Sequence, residues 1–204
     1  MTTSRAAQAP TPSSDRILLS ALELFSSKGY DATSVREICA SAGITKPTLY
    51  HFFGSKEGVY RALVDGALDD FRRAVTRAMQ GPGPAVDRLR RVGRAYFESA
   101  RGRRDLLRFI FGLVHNPATS APRTDFPRFY DEVVAQIAAE VEGGVARGEF
   151  VPGRTDLRML ILMGALGEAL CGYLIVGKPQ LSPALADALI DAVVAGWRPR
   201  LEAP

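Results

Sequence analysis

The segment from residue 45 to residue 55, TKPTLYHFFGS, carries the most informative polar side chains of the chain and contains no carboxylate. In a helix, which turns by about 100° per residue, Leu49, Phe52 and Phe53 would share the face that packs against other helices. The opposite side would present one proline and several polar groups, from Pro47, Thr48, Tyr50 and His51. Hydroxyl and imidazole groups on a surface without acids can donate hydrogen bonds to phosphate oxygens or contact the edges of bases.

Residues that suit the ends of helices lie on both sides of this segment. Thr45 and Lys46 begin it, and Lys56 lies at the start of the helix that follows. At such a start, the ammonium of Lys56 and unpaired backbone N–H groups can hold one phosphate together. Thr33 or Ser34 caps the preceding helix and can bind a phosphate on the other side.

The elements that must position these side chains are short helices that end at glycines. Apolar residues at helical spacing predict helices over about 14–28, capped by Ser13 or Ser14, and over about 34–42. The segment described above forms a third helix over about 46–53, and Gly29, Gly43 and Gly54 follow the three helices. A glycine-containing turn between two short helices is typical of a helix-turn-helix, here over residues 33–52. The second helix of such a pair can enter the major groove of DNA.

The rest of the sequence predicts further helices, so the fold class is all-α with about nine helices. Breaks rich in glycine and proline, such as residues 81–84, separate them, and no segment shows the period-two alternation of a strand. A loop is predicted for residues 116–125. The further helices are predicted over about 55–79, 85–100, 106–115, 128–147, 156–176 and 183–197.

The composition is that of an ordinary globular protein, with 47% hydrophobic residues, 24% charged residues and a formal net charge of +4. So small a basic excess does not identify a nucleic-acid-binding protein, and the positions of the charges must carry that argument. Residues 1–13 are rich in Ser, Thr, Pro and Ala, which predicts a disordered arm rather than a secretory signal. Cys39 and Cys171 lie far apart among apolar residues, which favours buried thiols in a reducing compartment.

One apolar segment, LRMLILMGALGEALCGYLIVG from residue 157 to residue 177, is long enough to span a bilayer. Glu168 lies at its centre and Arg158 near its start, and a carboxylate in the middle of a membrane span is costly. We therefore interpret the segment as a buried helix, and predict a cytoplasmic protein without a membrane partner.

Residues that could catalyse a reaction or bind a metal do not cluster in the sequence. His51 and His115 are the only histidines; the first lies on the polar face described above, and the second ends a predicted helix. No group of Cys and His has metal-ligand spacing, and there is no nucleophile elbow, phosphate loop or dinucleotide fingerprint. The sequence predicts no catalytic residue, no metal site and no cofactor, and hence no enzyme.

Residues 15 to 63 resemble the N-terminal domain of the TetR family of bacterial regulators. The resemblance is carried by ILLSALELFSSKGY, TSVREICASAGI, TKPTLYHFF and the SKE that follows, in matching order and spacing. It implies a DNA-binding domain over residues 14–60, in which Tyr50 and Lys56 contact phosphates. Pro47 stands where the family often has a small residue, and its ring can touch a thymine methyl group. The implied DNA contacts are Thr33, Ser34, Thr45, Lys46, Pro47, Thr48, Tyr50, His51 and Lys56.

The same resemblance implies that residues 61–204 form a domain that dimerises and binds a small effector, releasing DNA when it is filled. The two apolar C-terminal helices, together with their copies in a second subunit, would build a four-helix interface. The alternative is that both helices are ordinary core of one subunit. The residues expected at the interface are Gly164, Gly167, Cys171, Leu185, Leu189, Val193 and Trp197.

Aromatic and methionine side chains of the larger domain suggest an apolar pocket for a hydrophobic or aromatic effector, although such residues also fill ordinary cores. Glu168 and Arg108 are candidate polar anchors for the ligand, or alternatively form an ion pair with each other. The candidate pocket residues are Phe97, Phe109, Phe126, Phe129, Tyr130, Met163, Glu168 and Tyr173.

The predicted function is a sequence-specific DNA-binding regulator, a repressor released from a palindromic operator by its effector. Two alternatives stay open: a protein-interaction module that uses the three-helix domain, and a TetR-like activator without a small-molecule effector. Affinity for a specific palindromic duplex that falls steeply with salt separates the DNA-binding function from the interaction module.

Overall fold

The computed structural model describes residues 12–115 and 121–199, and this part of the chain contains nine α-helices, one short 3-10 helix and no strand. The all-α prediction is confirmed. The helices are α1 (Ser13–Lys28), α2 (Val35–Ala42), α3 (Lys46–Phe53), α4 (Lys56–Met79), α5 (Ala85–Ala100), α6 (Arg104–His115), α7 (Phe126–Ala146), α8 (Thr155–Val176) and α9 (Pro183–Val194), followed by the 3-10 helix Ala195–Trp197.

The first three helices and the start of α4 enclose a small hydrophobic core, which we call the N-terminal core. Phe25 of α1, Ile38 of α2, Leu49 of α3 and Tyr60 of α4 are buried in it. α2 and α3 have eight residues each, which is too short for an isolated helix to be stable in water. Packing into this core therefore stabilises them.

The turn between α2 and α3 is determined by its local sequence. Ser34 and Glu37 form a capping box at the start of α2, in which each side chain accepts a hydrogen bond from the backbone N–H of the other residue. Gly43 ends α2 with a φ of 62°, in the left-handed region that favours glycine. Thr45 then caps α3 by accepting a hydrogen bond from the N–H of Thr48 at 3.4 Å.

Two helices connect the N-terminal core with the larger second core. Tyr60 and Val64, in the first half of α4, belong to the N-terminal core, whereas Val75 near its other end is buried in the second core. In α6, Phe109 packs against the N-terminal core and Leu107 against the second. The predicted domain boundary at residue 60 falls within a continuous helix and stays a prediction.

The second core lies between the end of α4 and helices α5, α7, α8 and α9. Phe97 of α5, Ile137 of α7, Leu162 of α8 and Ile190 of α9 are each at most 1% exposed. Burial of one such side chain contributes about 1.5–3 kcal/mol relative to leaving it in water. This core positions the walls of the cavity described below.

The predicted helix boundaries differ from the observed ones mainly where a cap was not recognised. Asp125 caps α7 by accepting a hydrogen bond from the N–H of Arg128 at 3.1 Å, so α7 begins earlier than predicted, at Phe126. At α1 the predicted serine cap is wrong, because Ser13 is already helical and no side chain caps the helix. Residues 1–11 of the predicted arm and 116–120 of the predicted loop lie outside the described residues.

Among the described residues, α8 is the one helix that is long and apolar enough to span a membrane by length and composition. Only 33% of its most apolar window is buried within the chain. Arg158 near its start is buried, whereas Glu168 in its middle is exposed. The prediction of a buried helix is therefore wrong for one side of α8, which faces out from the subunit.

Candidate nucleic-acid interface

The position of α3 is determined by one fully buried residue on its inner side and by two glycines at the corner between α3 and α4. Leu49 is 0% exposed and packs into the N-terminal core. Gly54 ends the helix with a φ of 72°. At Gly58, in the first turn of α4, a Cβ atom would lie only 1.8 Å from the backbone oxygen of Phe53. The close corner between α3 and α4 therefore requires glycine, and it fixes the direction in which α3 points.

The outer face of α3 is open to solvent. Thr45, which caps the helix, is also exposed, and its hydroxyl lies 2.9 Å from that of Thr48. Because these side chains remain accessible, the later helices of the chain do not cover this face, and a duplex groove can reach it. The predicted contacts on this face are exposed, apart from the half-buried Thr48: Lys46, Pro47, Thr48, Tyr50 and His51.

Phe52 does not pack inward, contrary to the sequence prediction. It is 47% exposed, and its ring lies edge-on to that of His51 with the ring centroids 5.3 Å apart. Phe52 and Phe53 lie about 100° apart around the helix, and the buried stripe of this short helix runs through Leu49 and the half-buried Phe53. Phe52 therefore extends the outer face, and it is a candidate contact that the sequence analysis missed.

Thr33 is wrong as a direct DNA contact. Its side chain is 1% exposed, and its hydroxyl donates a hydrogen bond to the backbone oxygen of Gly29 at 2.8 Å. The cap of α2 is the next residue, Ser34, which is exposed. Ser34 keeps its place among the predicted contacts, whereas Thr33 ties the end of α1 to the start of α2.

Lys56 has partners within the chain. Its Nζ donates to the backbone oxygens of Tyr30 and Thr33, both at 2.9 Å, and lies 4.1 Å from the centroid of the Tyr30 ring. Lys56 thereby ties the start of α4 to the connection between α1 and α2. An ammonium has three donors, so one is left for a phosphate, and that contact stays a prediction.

Two glutamates close to α3 in the helix-turn-helix region are paired with cations. Lys28 donates to the carboxylate of Glu37, and this hydrogen bond is the largest of the contacts that lower the pKa of Glu37 to about 2. Glu57 is paired with Arg61 at 2.8 Å. Lys46 has no ion-pair partner in the part of the chain that the structure describes. The electrostatic balance at the outer face of α3 therefore favours an anion such as a phosphate.

Comparison with known proteins identifies the family that the N-terminal helices resemble. The family model described as bacterial regulatory proteins, tetR family, matches residues 17–63, which contain α2, α3 and parts of α1 and α4. This part of the chain is thus a TetR-type N-terminal domain. The resemblance inferred from the sequence is thus confirmed, and the outer face of α3 lies within the matched residues.

Individual relatives extend the similarity beyond this domain. The chain is 34% identical to the HTH-type transcriptional activator FasR of Mycolicibacterium smegmatis over 83 residues, which cover 41% of this chain but only 38% of FasR. It is 26% identical to IcaR, the negative transcriptional regulator of the biofilm operon icaADBC of Staphylococcus aureus, over 62% of this chain and 74% of IcaR. The solved structure of the TetR family transcriptional regulator PfmR from Thermus thermophilus is similar with a TM-score of 0.72 and 25% identity, over 89% of this chain and 98% of PfmR.

The larger, C-terminal part of the chain encloses a cavity of about 870 Å³. Cavities of this size hold small-molecule ligands in many proteins. The sequence analysis missed Phe71 of α4, whose ring meets that of Tyr96 of α5 in the wall at a centroid distance of 5.3 Å. The predicted pocket residues that do line the cavity are Phe126, Phe129, Tyr130 and Met163.

The other predicted pocket residues do not line the cavity, and for them the prediction is wrong. Phe97 is fully buried in the second core, and Phe109 packs against the N-terminal core. Glu168 is exposed on α8, and Tyr173 is half-buried, with the guanidinium of Arg104 5.6 Å from its ring centroid. Helical spacing shows that an aromatic side chain points inward, but not whether a cavity lies in front of it.

The cavity shares a wall with the N-terminal core. Tyr60 belongs to that core and also lines the cavity, as does Phe126 of α7. The ring of Tyr60 lies edge-on to that of Tyr30 at 5.2 Å, and the backbone oxygen of Tyr30 accepts the hydrogen bond from Lys56. A ligand in the cavity is therefore separated from the α1–α2 connection by the Tyr60 side chain.

The predicted dimer residues of the last helices face their own subunit. Trp197 is 6% exposed, with its ring 5.8 Å from that of Phe150 and 5.2 Å from the guanidinium of Arg158. Trp197 is therefore wrong as an interface residue, because the chain's own side chains cover it. The α9 residues are half-buried against the second core and retain a partly exposed edge: Leu185, Leu189 and Val193.

One side of α8 is apolar and uncovered, and we call it the open face of α8. The predicted interface residue Gly164 is exposed there, and Gly167 and Cys171 are half-buried beside it. The sequence analysis did not single out the large exposed residues of this face, because α8 is apolar around most of its circumference. They are Leu157 (45% exposed), Leu160 (68%), Ile161 (56%) and Ile175 (70%).

Proposed function

We propose that this chain is a repressor that binds a palindromic operator as a homodimer and leaves it when a small, mainly apolar effector fills the cavity. The observation that carries the DNA-binding part is the outer face of α3, which is exposed, has no carboxylate and is held from behind by Leu49. A short helix presented in this way fits the major groove of a duplex.

The roles of the side chains follow from their chemistry. Tyr50 and the remaining donor of Lys56 would bind phosphate oxygens, which positions the domain without reading the sequence. Thr48 and His51 would contact base edges, and the ring of Pro47 would contact a thymine methyl group. The operator sequence would therefore depend on a few side chains of one short helix.

A second copy of the chain is the partner that fits the open face of α8. Leu160, Ile161 and Ile175 each expose more than half of their surface, and exposed apolar patches of this kind mark interaction sites. Glu168 lies exposed on the same helix, which favours a protein partner over lipid, since a carboxylate in hydrocarbon is costly. Two copies of α8 flanked by α9 would form a four-helix interface and hold the two α3 helices about 34 Å apart, one turn of DNA.

The wall shared by the cavity and the N-terminal core supports control by an effector. A ligand that displaces Tyr60 or shifts α6 would move the N-terminal core relative to the dimer interface. Because the spacing of the DNA half-sites is fixed, a small change in the separation of the two α3 helices weakens binding. By linkage, DNA must weaken the binding of the effector by the same factor.

The test is a titration of operator and scrambled duplexes with the full chain, followed by fluorescence anisotropy at about 50 mM and about 200 mM salt. We expect operator-specific binding that weakens steeply with salt. Tyr50→Phe should weaken binding to all duplexes about equally, and Lys46→Ala should reduce the salt slope by about 1. Lys178→Ala, an exposed lysine of the larger domain, is the matched control. Equal affinity for operator and scrambled duplexes at both salt concentrations would overturn the proposal.

The direction of regulation needs its own measurement, because the relative FasR is named as an activator and IcaR as a negative regulator. In an in vitro transcription assay from a promoter that carries the operator, we expect the chain to lower transcript yield. A rise in transcript would replace the repressor with an activator and leave the DNA-binding part of the proposal intact.

A further inference from the structure

The charges around the cavity are all of one sign. Among the described residues, its wall contains the two guanidinium groups of Arg103 and Arg123 and no aspartate or glutamate, and the remaining surface is mainly apolar. A cationic ligand would meet no counter-charge in this wall, and burying an unpaired charge is costly. An apolar ligand with a negative group would pack against the apolar surface and pair with the arginines.

Three of the polar residues of the cavity form a row at one end of α5. Tyr96 and Ser99 lie one helical turn apart, and Arg103 follows in the connection to α6. Burial raises the pKa of Tyr96 to about 12, so its hydroxyl stays protonated and can donate. This hydroxyl has no hydrogen-bond partner among the residues that the structure describes. The row therefore offers an unused donor inside the cavity and a guanidinium at its rim.

The row continues into a second depression on the surface, which we call the arginine groove. Ser99 and Arg103 line both the cavity and this groove, which has a volume of about 690 Å³ between α4 and α5. The ionisable residues of its wall are four arginines and two carboxylates: Arg73, Arg77, Arg91, Arg103, Asp70 and Glu98. The apolar cavity thus shares two wall residues with a groove that has an excess of positive charge.

We propose that the effector is an anionic amphiphile, whose apolar body fills the cavity and whose acidic head group lies between the Tyr96 hydroxyl and the Arg103 guanidinium. Phosphate groups beyond the head would extend over the arginine groove. This inference rests on the proposed function only in taking the cavity as the effector site.

Through Arg103, a bound head group could also affect the position of α4 and hence of the DNA-binding domain. Arg103 is paired with Asp70 of α4 at 3.1 Å, and Asp70 also accepts a hydrogen bond from Arg73 at 2.7 Å. A head group that draws the guanidinium of Arg103 toward the cavity competes with Asp70. Since α4 runs from the N-terminal core into the second core, loss of this ion pair would release a contact that holds α4 in place.

The test uses ligands that share one chain and differ in the head: dodecanoate, dodecanoyl-CoA, dodecanol and dodecyltrimethylammonium. Calorimetric titration of the full chain should give binding of the two anions at least about tenfold tighter than of the alcohol, and weakest binding of the cation. Arg103→Gln should weaken binding of both anions about tenfold, close to 1.4 kcal/mol, and leave the alcohol unchanged. Arg154→Gln, an exposed arginine paired with Asp156, is the matched control.

The two anions separate a simple carboxylate head from a phosphorylated one. Arg77 has no ion-pair partner among the described residues, so Arg77→Gln should weaken only dodecanoyl-CoA if phosphates lie in the arginine groove. The melting temperature of each variant without ligand checks that it is folded. Binding of the alcohol or the cation as tight as that of the anions, no change in Arg103→Gln, or no binding of either anion would overturn the inference. Binding of the anions without any loss of operator affinity would support the head-group site and overturn effector control in the proposed function.

Discussion

Replacement of Lys56 separates a structural role from a DNA contact. The ammonium donates to two backbone oxygens at 2.9 Å and lies 4.1 Å from the ring centroid of Tyr30. A hydrogen bond with a charged partner contributes roughly 1.5–3 kcal/mol when it is well buried, and an exposed cation–π contact about 0.5–1 kcal/mol. Because Lys56 is half-buried and water replaces part of these contacts, we expect Lys56→Ala to lower the free energy of unfolding by about 1–2 kcal/mol.

Urea denaturation followed by circular dichroism measures this loss, and a decrease in melting temperature of about 2–8 °C should accompany it. Lys46→Ala is the matched control, because Lys46 is exposed without an ion-pair partner among the described residues and should change stability by less than about 0.5 kcal/mol. If Lys56→Ala kept full stability while the salt slope of DNA binding fell by about 1, Lys56 would be only a phosphate contact, and its role in holding α4 to the α1–α2 connection would be refuted.

Three further predictions concern the dimer, the cap of α2 and the support of α3. Leu160→Glu on the open face of α8 should give a monomer in sedimentation velocity, whereas Leu19→Glu, at a similarly exposed site of α1 (64% against 68% exposed), should not; a persistent dimer would contradict the interface. The pKa of Glu37 is held at about 2, below its ordinary value of 4.5, so the stability contributed by the ionised carboxylate is present above about pH 4.5 and is lost as the pH falls towards 2. An NMR titration of Glu37 with a midpoint near 4.5 would show that the hydrogen bonds of the cap are absent in solution. Leu49→Ala removes the fully buried side chain behind α3 and should lower the free energy of unfolding by about 2–5 kcal/mol in urea denaturation; a loss of under about 1 kcal/mol would mean that α3 is packed differently.

The helix-turn-helix could be predicted from the sequence because local chemistry determines it. Ser34 and Thr45 cap the two helices, Gly43 takes the left-handed conformation between them, and Leu49 marks the buried side of the second. Each of these signals acts over a few residues. The fold class could be inferred from such signals, whereas the family was inferred from the resemblance of residues 15 to 63 to the TetR N-terminal domain.

What the sequence did not reveal depends on how the helices pack against one another. α8 is apolar on nearly every side, so its periodicity does not distinguish the open face from the buried one. Trp197 is buried and Phe109 half-buried, but against neighbours that only the tertiary structure identifies. The cavity likewise arises between several helices, and Tyr96 and Phe71 enter its wall because α4 and α5 pack together there.

Phe52 and Thr33 are single residues whose burial the sequence also did not predict correctly. Phe52 was expected inside because it lies three residues after Leu49 and so near it around the helix, yet the buried stripe of α3 is too narrow to include it. Thr33 was expected outside because it precedes a helix, yet its hydroxyl satisfies the carbonyl of Gly29 and the cap falls to Ser34. In both cases a shift of one residue along the chain decides whether the side chain is buried or exposed.

The most direct test of the central claim is the selection of duplexes from a random pool by the full chain, repeated with Thr48→Ala and His51→Ala. If the outer face of α3 reads DNA, the wild type should enrich a palindrome with half-site centres about 10 base pairs apart, and each variant should enrich an altered half-site. Enrichment of no palindrome by the wild type, or of an identical palindrome by all three proteins, would contradict the claim.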